Sequence, residues 1–140
     1  MKNMVIAILA LMFASTLAVG QTKNTCDLMS KAIVMQNQMI ATGTVLTVNY
    51  KSAMQWEAIN PSNPEAAAMR AKIDREEIAF STALHNYLPI FKTLDPNIGD
   101  TGRQIVACPR YHEFSEVITE FTDMVLERSK QATRYHALGY

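Results

Sequence analysis

The stretch CPRYHEFSEVITEFTDMVLERSKQATRY, residues 108–135, decides the fold. Tyr111, Phe114, Ile118, Phe121, Val125, Ala132 and Tyr135 fall in it at helical steps, the period of a helix that lays one face on a core. A strand alternates every second residue, and this stretch does not. Cys108 and Pro109 open it, and proline suits a first helical turn because its missing N–H has no partner there. Glu113, Glu116, Glu120, Asp123 and Glu127 also recur at steps of three and four, so five carboxylates share one face, roughly opposite Phe114, Phe121 and Val125.

Two further segments upstream carry the same period. In the first, Leu28, Ala32, Met35, Met39, Thr42, Leu46, Tyr50 and Ala53 predict a helix from Cys26 to about Ala58. Its middle is its weak point: Gly43 is surrounded by β-branched Thr44, Val45, Thr47 and Val48, which leaves open a kink or a short extended piece near Thr42 to Val48. The run Asn60, Pro61, Ser62, Asn63, Pro64 is a turn, and Asn63 before Pro64 and Glu65 has the form of an N-cap with proline at the first helical position. The second helix then carries Ala66, Met69, Ile73, Phe80, Leu84, Leu88 and Phe91, with Arg70 and Asp74, then Lys72 and Glu76, as four-apart ion pairs. Pro89 predicts a kink at Leu88 or a new short turn there. Asp95 to Ala107, with Pro96, Asn97, Gly99, Asp100 and Gly102, is the expected irregular loop. Asp95, Asn97 and Asp100 suit turn chemistry rather than calcium, because the twelfth loop position is Val106 and not a glutamate.

The chain begins with Lys2 and an uncharged apolar run, Met4 to Ala14, followed by small residues. Ala18 and Gly20 fit the small-x-small pattern of a signal-peptide cleavage site, with Gln21 as the first mature residue and cleavage after Ala18 as the rival. Residues 1–20 are therefore expected to be removed, leaving residues 21–140 as one domain in the periplasm or the secreted space. Both cysteines, Cys26 and Cys108, lie in the mature part, and an exported chain with one possible pairing predicts a disulfide. Closing a loop of about 80 residues stabilises the fold by roughly 4 kcal/mol. A reactive thiolate at Cys108, with His112 four residues on, is the lesser alternative. In an up-down-up bundle the first and third helices run parallel, which brings both cysteines, each read as standing at a helix start, to one end. The expected fold is all-α: an antiparallel bundle of three long helices, or four if one is broken, with one disulfide.

Functional classes are narrowed more by exclusion. The formal charge is zero, so nothing attracts nucleic acid in bulk. No Cys-x-x-Cys-His, Glu-x-x-His pair, Gly-x-Ser-x-Gly or glycine-rich phosphate loop is present, and no catalytic residue, metal ligand or cofactor is assigned. The first helix has no charge between Lys31 and Lys51 and carries a second, mostly apolar set: Val34, Ala41, Val45, Val48 and Trp56. A helix apolar on two sides is usually buried on two sides, so Val34, Val45 and Trp56 are candidate partner contacts. The stripe Glu113, Glu116, Glu120, Asp123 and Glu127 is the second candidate, a docking face for a basic partner, with a solvated surface as its plainer reading. The C-terminal run Arg128, Lys130, Arg134, Tyr135, His136 and Tyr140 reads as a fraying helix end. These features predict an exported helical interaction protein, an adaptor, inhibitor or immunity-type protein, whose partner is another exported protein or a second copy in a homodimer. Neither nucleic-acid binding nor membrane insertion of the mature chain is expected. The alternative is a b-type haem or copper carrier using pairs such as Met29 and His136, or Met35 and Met39.

Overall fold

The computed structural model describes the backbone of residues 2–94 and 101–139 and the side chains of residues 23–94 and 103–139. Four helices follow one another, α1 (Lys2–Ile59), α2 (Pro64–Thr93), α3 (Thr101–Val106) and α4 (Tyr111–His136), with no strand among the described residues. The proposed cleavage positions Ala18, Gly20 and Gln21 lie outside the described side chains. Among the described residues no helix is long and apolar enough to cross a membrane.

The turn between α1 and α2 forms as its residues dictate. The Asn63 side chain accepts from the Glu65 N–H at 3.0 Å, its backbone is extended (φ −67°, ψ 126°), and Pro64 takes the first helical position. Neither helix is interrupted where its sequence invites a break. α1 runs unbroken through Gly43, and the β-branched residues around it stay helical: Thr47 donates its hydroxyl to the Gly43 carbonyl at 2.8 Å, while Val45 and Val48 point outward. α2 likewise continues through Pro89, which is exposed, so water can take the place of its missing amide. The stretch read as one loop contains α3, while Asp95, Asn97 and Asp100 lie outside the described residues.

The packing is up-down-up. Gln36 meets Tyr87, Asn49 meets Glu76 and Glu57 meets Arg70, which makes α1 and α2 antiparallel. Cys26 is bonded to Cys108, and Lys51 meets Glu127, which makes α1 and α4 parallel. The disulfide joins Cα atoms 5.4 Å apart, with Thr25 donating to the Gln104 side chain beside it. Cys26 lies within α1 rather than at its first turn, and Cys108 sits in the turn before α4, so the bridge pins one end of the bundle as expected though the helix boundaries differ.

Inside, side chains follow a heptad. On α1 Met29, Ala32, Gln36, Met39, Gly43, Leu46, Tyr50, Ala53 and Glu57 alternate steps of three and four, and all are buried. On α2 Ala66, Ile73, Phe80, Tyr87 and Leu94 recur every seventh residue, as do Val117, Met124 and Gln131 on α4. Strict sevens on three helices keep their seams facing one another along the whole bundle. Gly43 marks one cross-section: a Cβ built there comes 2.2 Å from the Met124 sulfur and 2.9 Å from the Phe80 ring edge. Two large side chains from α2 and α4 fill the space that a third would need.

Candidate functional site

α1 has one seam in the core and another on the outside. Val34, Val45 and Val48 are each about half exposed, Trp56 and Ile59 are exposed, and all lie on the side of α1 turned away from the heptad core. Along the α2 side of this face runs a groove of about 580 Å³, walled by Met35, Gln38, Ala41 and Val45 from α1 and by Glu76, Ala79 and Ala83 from α2, with Phe80 at its base. The groove exists because Ala41, Ala79 and Ala83 are too short to close it. Of the three partner-contact candidates on α1, Val45 lines the groove, and Val34 and Trp56 stand exposed toward either end of the same face. Single exposed valines are ordinary, but a file of them beside an open apolar groove is what interaction surfaces look like.

The acidic stripe is real and largely answered within the chain. Glu113 receives two hydrogen bonds from Arg110, both 2.8 Å, which hold its carboxyl below the usual glutamate range. Glu116 lies 3.1 Å from His112, both side chains strongly exposed. Glu127 accepts from the Gln131 amide at 2.9 Å and meets Lys51 at 3.1 Å, and these two, in that order, lower its pKa. Glu120 and Asp123 are exposed on the same helix. Two of the five carboxylates thus have a charged neighbour in the chain and a third lies beside a histidine, which weakens the stripe as a magnet for a basic partner.

A polar cluster that the sequence does not announce closes the other end of the bundle. The Tyr50 hydroxyl, in a fully buried side chain, donates to Glu77, and the same carboxylate oxygen lies 2.7 Å from His136 Nε2. Burial, and then the hydrogen bond to Glu77, push the Tyr50 phenol well above its ordinary pKa. Tyr135 packs on Tyr50 with ring centroids 5.3 Å apart, and the Arg128 guanidinium lies 4.7 Å over the Phe80 ring. Of the residues read as a fraying C-terminus, Arg128, Tyr135 and His136 are held by these contacts, Tyr135 almost completely buried, whereas Lys130 and Arg134 are exposed and Tyr140 lies outside the described residues. One signal was available: Glu77 stands four residues after Ile73 and three before Phe80, inside the apolar stripe of α2. The cluster ties α1, α2 and α4 together, one residue from each helix.

A second buried polar pair lies toward the disulfide end. Gln36 donates its amide to the Tyr87 hydroxyl at 2.5 Å, and its own carbonyl oxygen has no partner. Burial pushes the Tyr87 phenol up to about 12, against the opposing effect of the Gln36 amide. Both residues border a smaller apolar cavity of about 240 Å³, between Leu84, Leu88 and Phe91 of α2 and Phe121 and Val125 of α4.

Metal chemistry finds no support in these positions. Among the described residues no group of three or more His, Cys, Asp or Glu could hold an ion. Met29 is buried near the disulfide, whereas His136 sits beside Tyr50; the 21 residues of α1 between Met29 and Tyr50 span roughly 30 Å at the helical rise. Met35 and Met39, one turn apart on α1, both line the groove, Met39 from its core side. No known protein family, curated protein or solved structure matches the chain.

Proposed function

We propose that the chain is exported and works in the periplasm or the secreted space as a small helical interaction protein, docking its partner on the outer face of α1 and the groove beside it. The observation that carries this reading is the coincidence of the exposed file Val34, Val45, Val48 and Trp56 with a 580 Å³ apolar groove beside it. The partner is another exported protein or a second copy of this chain. A disulfide that pins two helices at one end is in keeping with an oxidising compartment. The Tyr50 cluster and part of the stripe are answered within the chain, which leaves the apolar face as the surface with the most binding energy to offer.

The test is light scattering coupled to size exclusion on protein purified from the exported fraction. The wild-type chain elutes as a complex, with itself or with a second exported protein. Val45→Lys with Trp56→Lys elutes as a monomer with an unchanged far-ultraviolet circular dichroism spectrum. A wild-type chain that elutes alone as a monomer, or a double variant that keeps its complex, refutes the reading. An absorption spectrum of the same material separates the carrier alternative, for which a Soret band is the signature.

A further inference from the structure

We infer that the partner on this face is a second copy of the chain, packed antiparallel through α1 with a two-fold axis between Val45 and Val48. The inference rests on the reading of the outer face as an interface and names its occupant.

The outer face of α1 is itself a heptad seam. Val34, Gln38, Ala41 and Val45, then Val48, Ser52, Gln55 and Ile59, advance by steps of four and three without a break, as the core seam does on the opposite side. Val34, Val45 and Val48 are about half exposed, Ile59 is 85% exposed, and only Ser52 is more covered than the rest. Read from either end, the seam is the same in kind: a β-branched residue, a glutamine, a small residue and a valine, then the mirror order. An isologous contact needs this property, since each residue i that meets j must also present j to i. Turned end for end on itself, the seam pairs Val34 with Ile59 of the other copy, Gln38 with Gln55, Ala41 with Ser52, and Val45 with Val48. The glutamines can bond to one another, and the small residues let the helices approach at the level between them and the central valines.

Charge agrees with the same alignment. The only charged residues from Val34 to Ile59 are Lys51, turned to Glu127 on α4, and Glu57, buried against Arg70. Neither lies on the seam, so no like charges confront across it. Lys31, just beyond, comes opposite the turn at residues 60–63 of the other copy, which holds no charge. Seam residues and the adjacent Trp56 expose on the order of 700 Å² per copy, close to the roughly 800 Å² per partner of a standard interface. An unrelated helix could match the seam's apolar character; its end-to-end symmetry singles out another copy.

Sedimentation velocity of the mature protein tests the register directly. Wild type sediments as a dimer across micromolar concentrations. Val45→Glu and Val48→Lys, each alone, raise the dimer dissociation constant roughly 100-fold or more, because each leaves an unpaired charge in an apolar contact. Both retain the wild-type circular dichroism spectrum, which separates lost pairing from lost folding. An equimolar mixture of the two variants recovers the dimer, since the two introduced charges face one another in the mixed pair. A monomeric wild type overturns the inference, as do single variants that stay dimeric or a mixture that stays monomeric. If that monomeric wild type co-elutes with another exported protein, the inference falls while the proposed function stands; if it binds nothing, both fall.

Discussion

Gly43→Ala tests the packing account at its tightest point. In an exposed helix interior, this change stabilises by about 1 kcal/mol, because glycine gives up more backbone freedom on folding. Here the added methyl starts 2.2 Å from the Met124 sulfur, 2.9 Å from the Phe80 ring edge and 3.1 Å from the Met124 methyl, whereas ordinary contacts begin at 3.4 Å. The thioether must retreat by over an ångström. Phe80, with Arg128 stacked on its ring, must give as well. Overpacking of this kind costs about 1–3 kcal/mol, so the two effects leave a net destabilisation of about 1 kcal/mol. For a domain of this size that lowers the melting temperature by about 4 °C, readable by calorimetry. The sign then reverses in a chosen background. Met124→Ala alone costs about 2–4 kcal/mol as a buried large-to-small change, but it vacates the space into which the methyl of Gly43→Ala points. In that background Gly43→Ala raises stability, and the double-mutant cycle reports a coupling of about 1–2 kcal/mol between the two positions. A Gly43→Ala variant that melts higher than wild type refutes the three-way layer of Gly43, Phe80 and Met124, and with it the register of α2 and α4 on α1.

Reduction of Cys26–Cys108 opens a link across 82 residues, and the chain-entropy model puts its contribution at about 4.5 kcal/mol; urea midpoints with and without reductant measure it, and an unchanged midpoint argues against the bridge. The depressed pKa of Glu127 makes a directional claim about pH: the stability it lends is present above the pKa of the unfolded chain and lost as pH falls through the lower, folded value. In a carbon-13 NMR titration, Gln131→Leu and Lys51→Ala each raise the Glu127 pKa, since each removes a hydrogen bond to its carboxylate; a variant that leaves it unchanged refutes the assignment.

The fold was largely legible because its main signals are periodic. The apolar steps of Tyr111 to Tyr135 and of Leu28 to Ala53 mark helices whichever partners they meet, and two cysteines allow one pairing. Boundaries were not legible where local and tertiary effects compete. Gly43 looks like a helix breaker in one dimension, yet in three it is the position where Phe80 and Met124 leave room for nothing larger. Pro89 invites a break, but it stands on an exposed turn where water can serve the carbonyl it leaves unpaired, and α2 runs on through it. The Tyr50–Glu77–His136 cluster draws one residue from each of three helices, and no spacing within a single helix encodes such a meeting.

The arrangement of polar groups along α1 explains why its outer apolar residues are not buried within the monomer. On the core seam Gln36, Tyr50 and Glu57 are matched to Tyr87, Glu77 and Arg70 of α2, an antiparallel set of rungs. A one-heptad slip would place Gln36 opposite Phe80, and a rotation of α1 would carry the same side chains away from α2; either strands buried polar atoms at a cost of about 1–3 kcal/mol each, so these rungs fix both the register of α1 and the side that faces inward. α1 therefore cannot rotate to bury Val34, Val45 and Val48 without exposing Leu46, Met39 and Tyr50 and breaking those pairs. Its outer seam stays exposed in the isolated bundle, and it is this surface that the proposed pairing removes from water.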